Sequence, residues 1–265
     1  MSTSIIDRIL DKQPPAAFHR FAWGCSIINI FFLMNNIFRN TNYIKNSAVS
    51  VRRLLTRKKT FYFDKIINDK SVDEFKSFMI DIGSDEEIDI VIKTNGGGFT
   101  SSQIISNIIG NHDGTINALV LENSFSGGTL IALSCDNLYM HKNAHLSPVD
   151  VIHCNFFDAV QLSSIESVLS NKNKDKIEDK TYILSDQAKK AQLTLDDIFN
   201  RIIKPKYTEC AQEKIREDLF SGTKHLHSTA FSVDKLKELG VDVQPLTQNM
   251  ISVCKLTYPI NHDMF

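Results

Sequence analysis

The amino-acid sequence predicts an α/β domain built on a largely parallel sheet. Two observations carry this expectation. Short β-branched runs empty into glycine-rich turns, and each turn opens a segment whose apolar residues are spaced for a helix, so strands and helices alternate along the chain. The chain is long enough for such a domain: 265 residues at 42% hydrophobic content can bury a sizeable core.

Taken in order, residues 60–63 (TFYF) read as the first strand, and residues 71–82 as an amphipathic helix with Ser71 available as its N-cap. The run at 88–93 (IDIVIK) has the composition of a buried strand. It leads into Asn95-Gly96-Gly97-Gly98, a backbone that glycine tolerates most readily. Ile104, Ile105, Ile108 and Ile109 then make one face of a helix. Residues 116–121 are the next strand, Ser126-Gly127-Gly128 opens an apolar helix, and residues 137–140 form a short strand.

The pattern changes after Asp150. Residues 170–180 are charged and read as a solvated loop or the hydrated start of a helix. Residues 182–203 have helical spacing through Ile183, Leu184, Ala188, Ala191, Leu195, Ile198 and Phe199, and Pro205 closes them. A further helix runs to Leu219 before Gly222, and residues 233–239 form a short helix capped by Gly240.

Residues 1–59 read as a segment separate from the domain at 60–265. Within it, residues 21–38 carry no charge, and 18 residues of helix span roughly 27 Å, close to the hydrocarbon thickness of a bilayer. Ser26, Asn29, Asn35 and Asn36 oppose that placement. Two readings stand: a single membrane span, or an amphipathic helix packed on the domain or on a neighbouring subunit. Arg39, Lys45, Arg52, Arg53, Arg57, Lys58 and Lys59 follow it with no acidic residue before Asp64, so a span would leave the bulk of the protein in the cytoplasm. No small-residue cleavage site follows closely, which disfavours a cleavable signal peptide.

Composition excludes several classes. Thirty basic residues against 31 acidic give a formal charge of −1 and a pI near 6.7, with no global field to hold nucleic acid. The five cysteines are odd in number and contain no CxxC, which fits a reducing compartment better than a disulfide scaffold. His141, His145, His153 and Cys154 lie near one another in sequence. Pro148 and the expected strand–turn geometry keep them off one helical face, so the expectation is no metal and no cofactor.

Two glycine-rich turns, each after a buried strand and before a helix, carry the chemistry. Amides at such turns point out of the sheet and the helix dipole adds positive potential, which suits a phosphate or a developing oxyanion. Residues 95–100 lack the Lys-Ser/Thr of a Walker loop, and GGG is not GxGxxG. Ser126 stands directly before Gly127-Gly128, placed either as a plain N-cap or as a nucleophile with free amides beside it. The segment is not GxSxG.

Residues 126–150, SGGTLIALSCDNLYMHKNAHLSPVD, resemble the signature of the serine dehydrogenase proteinase family, which belongs to the Clp/crotonase-fold serine peptidases and is related to signal peptide peptidase A. Residues 88–97, 177–191 and 227–241 resemble further family motifs, so the likeness covers roughly residues 60–243. It implies a ClpP/crotonase-like fold of repeated ββα units, a homo-oligomer, and hydrolysis of extended peptide substrates through an acyl-enzyme. Ser126 would be the nucleophile, and the amides of Gly97 and Gly127 would form the oxyanion hole.

The resemblance leaves the base open. Lys190, at the family's Lys-Ala position, suits a Ser–Lys dyad if buried. His227 matches another family motif, and Asp150 and His153 are further options as base or orienter. Departures from the pattern are Lys93 for His, Asn95 for Pro, and Ser147 for Gly before Pro148-Val149-Asp150. The rival readings are an inactive scaffold that binds extended peptides and, on the same fold, acyl-CoA chemistry.

Overall fold

A computed structural model describes residues 59–150, 152–154 and 159–257. The apolar segment at 21–38, with its two readings, lies outside the described residues, as does most of the segment expected at 1–59. Among the described residues, no helix is long and apolar enough to cross a membrane.

Strand and helix alternate through the first half. β1 (Lys59–Phe63), α1 (Asp69–Ile80), β2 (Ile88–Thr94), α2 (Phe99–Gly110), β3 (Ile116–Ser124), α3 (Gly127–Ser134) and β4 (Asn137–Met140) follow one another. Next come β5 (His145–Leu146), the hairpin strands β6 (Ile152–Cys154) and β7 (Ala159–Gln161), α4 (Leu162–Asn171) and α5 (Asp179–Ile198). A wider π turn (Phe199–Ile203) extends α5 before α6 (Glu209–Ile215), which ends in a π turn of its own (Arg216–Phe220). β8 (Phe231–Ser232), α7 (Val233–Glu238), β9 (Val243–Pro245) and α8 (Gln248–Thr257) complete the described chain.

β1, β2, β3, β4 and β9 lie side by side in that order, all parallel. β5 continues alongside the end of β3 and pairs antiparallel with β8. β6 and β7 form a separate antiparallel pair. The fold is the α/β architecture with a parallel sheet that the alternating pattern predicts.

The strand period of two sorts side chains between two cores. Phe63, Ile88, Ile90, Ile92, Ile116, Ala118, Val120, Leu138 and Met140 face α1, α2 and α3, where Phe75, Ile105, Ile109 and Leu130 meet them. Val91, Leu119 and Leu121 face the other way, onto Cys254 of α8. Burial of both faces explains why β2 and β3 are nearly continuous apolar runs.

One local expectation is corrected and another is borne out in part. α1 begins at Asp69 with Asn68 as its N-cap, and Ser71 is the third helical residue. The Asn68 side chain accepts from the Ser71 amide (3.2 Å) while the Ser71 hydroxyl accepts from the Asn68 amide (3.3 Å), a reciprocal capping box. The charged stretch at 170–180, expected as a loop or the start of a helix, combines several pieces. It holds the end of α4, a 3₁₀ turn (Lys174–Lys176) and the start of α5.

Candidate active site

The site is built where β2 and β3 end side by side. The Phe125 amide donates to the Thr94 carbonyl (2.9 Å), carrying the strand pairing up to the two turns. Thr94 then organises the first turn. Its hydroxyl donates to the Lys65 carbonyl (2.6 Å) and accepts from the Gly96 amide (3.1 Å).

Gly97 forms a one-residue parallel bridge with Ile67. The Ile67 amide donates to the Gly96 carbonyl (2.9 Å) and the Gly98 amide to the Ile67 carbonyl (2.8 Å). In that pattern Gly97 itself gives neither group to Ile67, so its amide points to the opposite, open edge. Gly97 is exposed. A β-carbon there would strike the Ile67 backbone, which is why the strand–turn approach needs glycine.

Ser126 opens α3 and has φ 51°, ψ −118°, the one non-glycine positive φ among the described residues. Such a conformation costs on the order of 1–3 kcal/mol and persists only where its surroundings over-determine it. Ser126 does not use its side chain as an N-cap, so the plain capping role is absent. Its hydroxyl is half-buried and has no hydrogen-bond partner among the described residues. The Gly127 amide, first in α3, has no intrahelical acceptor by helix geometry.

The other site residues predicted from sequence fall in different places. Asp150 and His227, 77 positions apart, are brought together: His227 Nδ1 and Asp150 Oδ1 are 2.5 Å apart, with the Asp150 side chain 2% exposed. Gln161 donates to the other carboxylate oxygen of Asp150 (2.6 Å) and to the His225 carbonyl (3.2 Å). Lys190 is not brought to this dyad. It lies on α5 with its side chain 72% exposed, ion-paired with Asp186 one turn earlier (2.7 Å). His153 lies in β6, where the backbone alone is described. No cluster of His, Cys, Asp and Glu suited to a metal occurs among the described residues.

Sequence reasoning missed Gln161 and the contacts of Ser147. The Ser147 hydroxyl accepts the Ser126 amide at 2.8 Å. Gln161 carried no signal, because its partner lies in another loop. Ser147 did carry one, as the serine that stands where the resembled family pattern has a glycine before Pro148.

The chain is similar to several known proteins. A family model described as ClpP-like SDH-type serine proteinase matches residues 29–258. The uncharacterized proteins MJ0137 and MJ1495 of Methanocaldococcus jannaschii are each 34% identical over 159 residues, or 60% of this chain. The match covers 54% of the first and 52% of the second, so the chain spans about half the length of these relatives. In structure, ClpP1 from Listeria monocytogenes is similar with a TM-score of 0.46 at 16% identity, over 78% of this chain and 99% of that one.

Proposed function

This chain belongs to the ClpP-like SDH-type serine proteinase family, and from that premise we propose that it hydrolyses peptide bonds through an acyl-enzyme on Ser126. The observation that carries the reading is the Ser126 turn. A free hydroxyl stands at a strained strand-to-helix junction, between a Gly127 amide orphaned by its place in the helix and the outward-facing Gly97 amide.

In this mechanism Ser126 Oγ attacks the carbonyl of an extended peptide lying along the Gly97 edge. Its proton passes to a base, and the amides of Gly97 and Gly127 stabilise the oxyanion. The C–N bond breaks as the base returns the proton to the leaving amine, leaving an ester on Ser126. Water activated by the same base then hydrolyses it. We assign the base to His227, oriented by Asp150. The support is the buried, doubly hydrogen-bonded carboxylate. Lys190 lacks the burial that makes a lysine a base. For this role His227 must come within hydrogen-bond reach of Ser126 Oγ, while its Nδ1 stays on Asp150.

One observation favours the second reading, an inactive peptide-binding scaffold: among the described residues, no base contacts the Ser126 hydroxyl. Labelling of the purified protein with a fluorophosphonate, wild type beside Ser126→Ala, tests the two. Label lost in the variant supports the peptidase. A folded wild type that stays unlabelled and leaves a peptide library uncut supports the scaffold.

A further inference from the structure

We propose that Ser147 is a positioning residue for Ser126, an inference that rests on the peptidase reading above. Ser147 is 1% exposed and touches both sides of the nucleophile turn. Its hydroxyl accepts the Ser126 amide at 2.8 Å. Its own amide donates to Thr129 Oγ1 (3.1 Å), whose hydroxyl donates to the Ser124 carbonyl (2.6 Å). One chain of hydrogen bonds therefore runs from the end of β3, through α3, to Ser147 just after β5 and back to Ser126.

Two consequences follow for the reaction. Ser126 holds a sparsely populated backbone conformation, which relaxes unless its surroundings fix it. The Ser147 bond fixes the peptide plane on the amide side of Ser126 and so sets where Oγ points. The same bond occupies the Ser126 amide, leaving the amides of Gly97 and Gly127 to receive the oxyanion.

Ser147 also links the two halves of the site. Three residues on is Asp150, which carries His227, and between them the Val149 amide is anchored on the Leu219 carbonyl (2.6 Å). The span from the Ser126 turn to the Asp150–His227 pair is thus a short tether held at both ends. Ser147 touches no substrate in this scheme and acts through Ser126.

The test is fluorophosphonate acylation of the full chain, resolved into the maximal rate of inactivation and the half-saturating probe concentration. Wild type is compared with Ser147→Ala and Ser134→Ala. Ser134 is a control: it is buried in the same helix, and its hydroxyl bonds the Leu130 carbonyl (2.8 Å) away from the turn. Misplacing a reacting group by about 1 Å costs on the order of 100-fold, and the expected result is a fall of at least about tenfold in the maximal rate for Ser147→Ala at unchanged half-saturation. Ser134→Ala keeps the wild-type rate. An unchanged rate in Ser147→Ala, or an equal fall in both variants, overturns the proposal. Should Ser147→Ala not fold, hydrogen exchange at the wild-type Ser126 amide decides: protection supports the bond, and exchange as fast as an exposed amide overturns it. Failure of wild type to label at Ser126 removes the peptidase reading and this inference together, whereas labelling indifferent to Ser147 removes this inference alone.

Discussion

Gly96 is pressed directly onto Ser126. A β-carbon built on Gly96 would stand 2.7 Å from Ser126 Cβ and 2.8 Å from the Phe125 carbonyl oxygen. The two turns are therefore one packed unit. Gly96 also has φ 96°, a conformation that side chains disfavour. Gly96→Ala adds strain and displaces Ser126 together, with an expected stability loss of about 1–3 kcal/mol. Urea unfolding measures that loss. Fluorophosphonate labelling at a temperature where the variant remains folded should fall as well, and labelling at the wild-type rate would show that the turns work independently.

The choice of base makes a sharper prediction. Removing a general base lowers acylation by about 10²–10⁴-fold. His227→Ala and Asp150→Asn should both show a fall of this kind, while Lys190→Ala should leave labelling unchanged. Single-turnover labelling of the three variants is the measurement. Loss in Lys190→Ala with retention in His227→Ala would return the base to the lysine.

How much of this was legible in the sequence follows from pattern length. β1 to β4 could be read because runs of four to nine residues rich in β-branched, aromatic or other apolar side chains carry a strand signal of their own. β5 to β9 could not, because two- and three-residue strands are defined by their partners. The Ser126 turn was visible in Ser-Gly-Gly. The pairing of Asp150 with His227 was not, since 77 residues separate them and the family resemblance alone brought both into view. The exposure of Lys190 was legible: it lies two residues past Ala188, an apolar member of the same helix, and so about 200° round the helix from it, on the solvent side.

Acid should loosen the loop that presents His227. Asp218, 5% exposed, accepts from Lys224 (2.6 Å) and from His225 (2.7 Å). Burial pushes its carboxyl upward, but these hydrogen bonds outweigh burial and hold it below its ordinary value. The unfolded chain then binds the proton more readily than the folded one, so this stabilisation is complete above the ordinary carboxylate value, about pH 4, and is lost as pH falls through the depressed value. Asp218→Asn should lower stability at neutral pH by about 1–2 kcal/mol and flatten the acid limb of the Tm–pH curve. An acid limb identical to wild type would assign the acid sensitivity elsewhere.

Lys206 closes the opposite end of the nucleophile helix. Its ammonium donates to the carbonyls of Leu133 (3.2 Å), Ser134 (2.6 Å) and Cys135 (2.7 Å), groups that α3 leaves without intrahelical donors. A cation there also opposes the helix dipole favourably. Burial lowers the pKa of Lys206, partly offset by Cys135 and Asp136, and burial pushes the Cys135 thiol up to about 12. Lys206→Met keeps the apolar stem and strands three carbonyls, for an expected loss of about 1–3 kcal/mol at neutral pH. The pH dependence separates this from simple packing. With a depressed lysine the unfolded chain holds the proton over the interval where the folded chain has released it, so wild-type stability gains from this group as pH rises through that interval. Urea unfolding at neutral and alkaline pH should therefore show the gap between wild type and Lys206→Met widening toward alkaline pH. A gap independent of pH would assign the whole effect to packing of the stem.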